Sequence, residues 1–362
     1  MKACVRDTAL ALAAVSTAVS LTACGPGSGN TSGAGGARKI SVLLPDSTTA
    51  RWETQDRPLL EQRIRQLCGT CSTEHANAKG DVATQQQQMD SSIADGVDAI
   101  VLTAVDARAM GPSVGKAAAA HIPVIAYDRL VEGPISAYVS FDGQEIGRLQ
   151  GRALLTAMGA KAHDGRIVMM NGDPGDPNAL AFKQGALSEL RGKVTIAKEY
   201  DTPQWATEAA NRNMSGALSA LGADSIDGVY AANDGLAAGS IAALKADKVT
   251  PLPPVTGQDA ELAAVRRIVS GDQYMTVYKP FGPEAAAGGA MAVAAARGRR
   301  LDGVATRRVK TRSGAEVPAV LLTPVSVILA TIKSTLVRDG VYTLEQICPP
   351  PLAGDCHKAG LT

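Results

Sequence analysis

Aromatic side chains are scarce in this chain: three Phe, seven Tyr and two Trp amount to 3% of 362 residues. Proteins that stack nucleic-acid bases need aromatics interleaved with basic residues, and no such stretch occurs here. Neither charge sign dominates, with 36 Lys plus Arg against 35 Asp plus Glu, so the chain has no net field to draw a polyanion. Nucleic acid is excluded as a partner. Histidine is limited to His75, His121, His163 and His357, none at metal-ligand spacing, and no G-x-S-x-G nucleophile motif is present. Gly111 to Lys116, G-P-S-V-G-K, lacks one residue of a phosphate-binding loop and has no strand directly before it. Asp173 and Asp176 could be taken for the acid and base of a glycosidase, but both lie in one Gly/Pro loop, where carboxylates usually cap helices. These gaps leave a protein without catalytic residues, metal or cofactor, and so a binding protein instead of an enzyme.

No apolar run is long enough to span a bilayer as a helix. The longest uncharged one, Thr8 to Ala23, follows Lys2 and Arg6 and ends L-T-A-C at Leu21 to Cys24. That is a secretory signal over residues 1–23 closed by a lipobox, which makes Cys24 the acylated first residue and the point of membrane attachment. The plainer alternative is an ordinary signal peptide with an accidental cysteine. Residues 24–37 continue G-P-G-S-G-N-T-S-G-A-G-G-A after Cys24, with neither charge nor large apolar residue, and form a flexible tether. Export opens an oxidising compartment to the remaining cysteines. A Cys348–Cys356 bridge would tie down a Pro-rich tail. Cys68 and Cys71, in C-G-T-C, have redox spacing but follow a helical pattern instead of opening one, which favours a structural bridge over free thiols, redox chemistry or zinc.

From Lys39 onward, short β-branched runs alternate with Ala-rich stretches of helical period, the pattern of parallel sheets covered by helices. The runs are K-I-S-V-L-L, D-A-I-V-L-T, I-P-V-I-A-Y, R-I-V-M-M-N, D-G-V-Y-A-A, P-P-V-T-G and Y-M-T-V-Y-K. Helices are expected over 56–67, 82–94, 107–120, 144–158, 179–190, 206–221 and 236–246, with a last one over 326–337. Two alternating runs flanking Ser313-Gly314 read as an antiparallel hairpin.

Ligands of open parallel sheets sit beyond the carboxyl ends of strands. The residues that follow the apolar runs here are Asp46, Arg51 and Trp52; Asp128 and Arg129; Asn171, Asp173, Asp176 and Asn178; Asn233 and Asp234; Gln258 and Asp259; and Lys279. Carboxylates, amides and guanidinium groups can each hold two neighbouring hydroxyls, so the set suits a pyranose, although any one Asp or Asn there could simply cap a helix. Trp52 and Trp205, the only tryptophans, both stand at loop-to-helix junctions, where a flat ring can pack on the C–H face of a sugar.

At these positions the sequence resembles the periplasmic sugar-binding proteins of ABC transporters, and among them the D-xylose binders. The likeness runs from Lys39 to Val337 and is carried by A-R-W (50–52), Y-D-R (127–129), Y-V-S-F-D (138–142), D-P-N-A (176–179), A-N-D (232–234), G-Q-D-A (257–260) and M-T-V-Y-K-P (275–280). It implies two doubly wound α/β domains joined by a three-crossover hinge near Phe141, Gly257 and Thr323. One domain would hold 38–141 and 258–323, the other 142–257 and 324–362. Carried over residue by residue, it implies that Arg51, Asp128, Arg129, Asn178, Asn233, Asp259 and Lys279 hydrogen-bond the sugar while Trp52 and Trp205 stack on it. The expected partners are a monosaccharide, D-xylose foremost, and the permease of an ABC transporter, with the receptor a monomer. Pro177 stands where a xylose binder carries a second Asn. Transcription repressors use the same core but precede it with a helix-turn-helix, where this chain has a signal and tether; a sugar-dependent receptor for a membrane sensor would share every feature above.

Overall fold

The computed structural model describes residues 37–361; the signal segment, Cys24 and all of the tether before Ala37 lie outside them. Buried apolar runs supply four strands of the first sheet, β1 (Lys39–Leu44), β3 (Ala99–Leu102), β4 (Val124–Tyr127) and β5 (Ala137–Phe141), and a half-exposed polar segment supplies its edge strand β2 (Ser72–Asn77). With β10 (Arg307–Lys310) and β11 (Glu316–Leu322) they stand in the order β10-β11-β5-β4-β3-β1-β2, every neighbouring pair parallel except the β10–β11 hairpin.

The second half is built around β6 (Arg166–Met170), β7 (Thr195–Tyr200) and β8 (Gly228–Ala231), ordered β7-β6-β8 and parallel. Val255 bridges Val229 beside β8, and β9 (Met275–Tyr278) continues from there, with Tyr274 N–H donating to Val255 O and Val277 N–H to Gly257 O. β12 (Val325–Ile328) closes this edge antiparallel to β9.

The pairing moves one expected crossing. The chain passes between halves at Phe141–Gly143, at Tyr278–Phe281 and at Leu322–Val325, so residues 258–278 belong with the second sheet and the middle crossing lies at Lys279, not Gly257. The run P-P-V-T-G was read as closing that half, whereas its backbone hydrogen bonds receive β9 as a further neighbour. The helix expected over 326–337 is likewise corrected: its start alternates as V-S-V-I and pairs as β12, and the rest is broken into a 3-10 turn at Leu329–Thr331 and a helical turn at Lys333–Val337.

Helices α1 (Arg57–Leu67), α2 (Val82–Ala94), α3 (Gly111–Ala119), α4 (Gly143–Met158), α5 (Pro177–Leu190), α6 (Thr207–Leu221), α7 (Asp234–Ala246), α8 (Leu262–Ser270) and α9 (Phe281–Ala296) cover the sheets. Several start where the strand-end polar residues act as caps: Asp81, Asp142, Asp176 and Asn233 each accept a hydrogen bond from a first-turn N–H, satisfying donors the helix cannot. The small residues of α9 let it lie flat on the first sheet against Ile40, Val42, Ile125 and Val139. α4 and α5 touch backbone to backbone, since a Cβ on Gly147 would meet Phe182 O at 1.9 Å and one on Gly185 would meet Gln144 O at 2.0 Å. Both cysteine pairs are bonded: Cys68–Cys71 between α1 and β2, with Cα atoms 5.2 Å apart, and Cys348–Cys356 near the carboxyl end, at 6.0 Å. Among the described residues no helix is long and apolar enough to cross a membrane, and no group of three His, Cys, Asp or Glu is placed to hold a metal.

Candidate functional site

The carboxyl edges of the two sheets face each other, and the loops there converge on one cleft. It encloses about 250 Å³ of empty space, of which about 20 Å³ is open to the centre of a water molecule, and is lined by Thr49, Trp52, Asp128, Arg129, Asp176, Asn178, Phe182, Trp205, Asn233, Gln258, Asp259 and Lys279. Eight of the nine residues singled out in the sequence are among them. A wider groove beside Leu252, Pro254, Ile328 and Leu329, with about 570 Å³ open to the centre of a water molecule, has mostly apolar walls and contains none of the nine.

Asp128 stands at the centre of the network. Its φ of +60° turns the side chain out of β4 into the cleft, a conformation that Asp tolerates better than most residues. Its backbone oxygen accepts from Ser140 Oγ at 2.6 Å and Tyr138 Oη at 3.2 Å, which fixes that turn. One carboxylate oxygen accepts from Asn178 Nδ2 at 2.7 Å, across the cleft, and the other from Arg51 Nη1 at 3.1 Å and Lys279 Nζ at 3.4 Å. Burial alone would raise its pKa, but Lys279, Arg51 and Arg129 outweigh it and hold Asp128 below the usual carboxylate range.

Arg129 spans the same gap. Its Nε lies 2.7 Å from Asp176 Oδ2, close but off the hydrogen-bond axis, while Nη1 donates to Ala104 O at 2.9 Å. Asp176 also accepts from Trp205 Nε1 at 3.2 Å, and burial, only partly offset by Arg129, pushes its pKa up to about 6. Trp205 and the preceding Gln204 have φ of +52° and +58°; the turn sets the indole against Phe182, ring centres 6.4 Å apart. Gly172 makes room for it, because a Cβ there would stand 2.0 Å from the Trp205 ring.

Asp259 is the carboxylate of the second half, at φ +98° with Ala260 at +50°. Lys279 Nζ lies 2.9 Å from its Oδ1, and burial of that ammonium, which lowers its pKa, is overcome by Asp128 and Asp259 so that it stays charged. Asp234, wholly buried, holds the loop that carries Asp259 by accepting from Glu261 N at 2.9 Å, Gln273 Nε2 at 2.8 Å and Thr276 Oγ1 at 2.9 Å. Asn233 spends Oδ1 on the cap of α7, leaving its amide nitrogen as the group it can offer.

Arg51 is the residue that does not line the cleft. It sits behind Asp128, bound to Asp56 and Glu284. Its guanidinium lies over the Trp52 ring at 4.5 Å, so part of that ring's π-surface is already covered. Trp52 Nε1 and Gln258 Oε1 are buried without a partner, one donor and one acceptor on the cleft wall. Asp176 and Gln258 stood in the strand-end set but not among the nine residues carried over as sugar ligands, and Phe182 stood in neither. The signals were there: Asp176 and Phe182 stand two before and four after Asn178, within a helical turn of it, and Gln258 adjoins Asp259.

Several of the polar wall groups pair with a neighbour of opposite character, and none is a nucleophile aligned with a base. The cleft can bind a small neutral polyol by exchanging these mutual contacts for hydroxyl contacts; it has no arrangement for bond cleavage.

Comparison with known proteins agrees in scale. The periplasmic binding protein domain matches residues 40–300. The chain is 31% identical over 315 residues to the D-xylose-binding periplasmic protein of Haemophilus influenzae and 33% identical over 317 to that of Escherichia coli, covering 85% of this chain and 92% of each relative. Among solved structures, an ABC transporter solute binding protein from Clostridium phytofermentans with bound β-D-glucose superposes with a TM-score of 0.79 at 28% identity, covering 86% of this chain and 100% of that one.

Proposed function

This chain belongs to the periplasmic binding protein family, and on that premise we propose that it captures a monosaccharide, D-xylose, in the cleft between its two sheets and delivers it to the permease of an ABC transporter. The observation that carries this is the convergence of eight polar and aromatic residues from both halves on one small cleft. Lys279 lies between the carboxylates of Asp128 and Asp259. A sugar hydroxyl entering between them donates to a carboxylate and accepts from the ammonium at once, which a purely apolar or purely acidic wall could not match. Trp52 and Trp205 flank the same space from opposite halves. The relatives named for D-xylose favour that pentose, while the glucose-bound structural neighbour makes a hexose the second reading. The proposed lipid anchor at Cys24 keeps the receptor beside its transporter.

A calorimetric panel of D-xylose, D-ribose, L-arabinose, D-glucose and D-galactose tests the ligand. Xylose is expected to bind most tightly. Tighter binding of glucose would replace the pentose with a hexose, and no heat with any of the five would reject the monosaccharide reading.

A further inference from the structure

We propose that Glu284, together with Asp56 and Tyr127, is a positioning residue that holds the Arg51 guanidinium against Asp128, and that it does so as an uncharged acceptor. The proposal rests on the cleft's being the sugar site. Arg51 has five N–H donors in a rigid fork. Nε donates to Asp56 Oδ2 at 2.7 Å, and Nη2 donates to Asp56 Oδ1 and to Glu284 Oε2, both at 2.6 Å. One Nη1 hydrogen goes to Asp128 Oδ2 at 3.1 Å. The same Nη1 lies 3.8 Å from Asp259 Oδ1, too far for a direct bond, which leaves one donor for a ligand or for Asp259. Three of five donors are therefore used to fix the fork, and Nη1 faces Asp128 and Asp259.

Tyr127 Oη donates to Asp56 Oδ1 at 2.7 Å, so the anchor is itself anchored, and Asp56, Tyr127 and Glu284 are all wholly buried. Asp56 and Tyr127 come from the first half. Glu284 stands in the first turn of α9, just past the crossing at Lys279, so its bond ties the hinge strand to the group behind Asp128.

Arg51 and Lys279 face four buried carboxylates, of Asp56, Asp128, Asp259 and Glu284. One proton on the cluster lessens that excess. Glu284 is the member placed to hold it: Asp259 Oδ1 also lacks a hydrogen bond but lies 2.9 Å from Lys279 Nζ, whereas Glu284 Oε1 has no hydrogen bond and no ion pair, and a full charge beside an unpaired buried oxygen is costly. Burial, with Asp128 and Asp56 nearby and despite Arg51, pushes the Glu284 pKa far above the usual range.

D-xylose titrated into Glu284→Gln, Glu284→Leu and Tyr127→Phe tests the role, with thermal unfolding of each variant recorded alongside. Glu284→Gln keeps the acceptor without charge and is expected to bind within about threefold of wild type, whereas Glu284→Leu keeps bulk without the acceptor and should bind at least about tenfold more weakly. Tyr127→Phe should lose about two- to tenfold. Equal binding by the Gln and Leu variants overturns the proposal, as does a Gln variant that folds but binds as poorly as Leu; should Leu fail to fold, unchanged binding by Tyr127→Phe overturns it. Ligand-free crystal structures supply the arm that does not depend on sugar. Arg51 should keep its place in the Gln variant and leave Asp128 in the Leu variant, and an unmoved Arg51 in the latter contradicts the claim even if wild type binds none of the sugars.

Discussion

Asp259 carries the largest single expectation at the residue scale. It is buried, it reaches the cleft from a left-handed backbone turn, and its nearest cation is Lys279. A hydrogen bond to a charged group contributes about 1.5–3 kcal/mol, so Asp259→Ala should weaken the sugar about 10- to 150-fold. A loss of twofold or less by calorimetry would take it out of the site. Behind it, Asp234 has its pKa pushed up to about 7 by burial against the pull of Arg267, and Glu261 beside it up to about 8 by burial and by Asp234. Both folded-state values exceed the ordinary carboxylate value of about 4. The folded chain therefore holds protons that the unfolded chain releases, and stability present below ~pH 4 is lost as pH rises through about 7 to 8. Asp128, Glu53 and Asp227 are shifted the other way and withdraw stability as pH falls through the ordinary range. The thermal midpoint of the ligand-free protein should thus be higher near ~pH 5 than near ~pH 8, and Asp234→Asn should flatten the slope. A midpoint that rises over that interval contradicts the assignment.

At the scale of elements, the strand-to-loop junctions set the site, and Gly172 shows how. It lies two residues past the end of β6, and the Trp205 indole occupies the space its side chain would need. Overpacking of this kind costs about 1–3 kcal/mol, and here it would fall on the ring that lines the cleft. Gly172→Ala should lower sugar affinity and shift tryptophan emission, and unchanged affinity would show that Trp205 does not bear on the ligand. The junctions were also what the sequence revealed best. The runs that became β4, β8 and β9 each end at the cleft with a polar residue, which is why Asp128, Asn233 and Lys279 could be read in advance. Elements without that contrast were missed. β2 (S-T-E-H-A-N) is an edge strand and β7 (T-I-A-K-E-Y) is another, and neither carries a continuous apolar run. α9 is Ala- and Gly-rich on every side, so it shows no helical stripe. The crossing at Lys279 was misplaced because backbone pairing between Val255 and β9 has no side-chain signature. Arg51 was found, but its place one layer back depends on Asp56 and Glu284, whose distance in sequence from Arg51 differs from 5 to 233 residues.

Over the whole molecule, the two halves meet through Asp128 with Asn178, Arg129 with Asp176, and Ala107 N–H donating to Gly175 O at 3.0 Å. Three crossings join them, so a ligand touching both halves favours the closed arrangement by its differential affinity. The proposed anchor acts at the same scale: Cys24→Ser should release the protein from membranes, and retention after a salt wash would reject it. That one sugar is held by both halves at once is tested most directly by titrating D-xylose into Asp128→Ala, from the first half, and Trp205→Ala, from the second. Each variant, still folded, should bind at least about fivefold more weakly than wild type. Wild-type affinity in either one would confine the ligand to a single half and contradict the account.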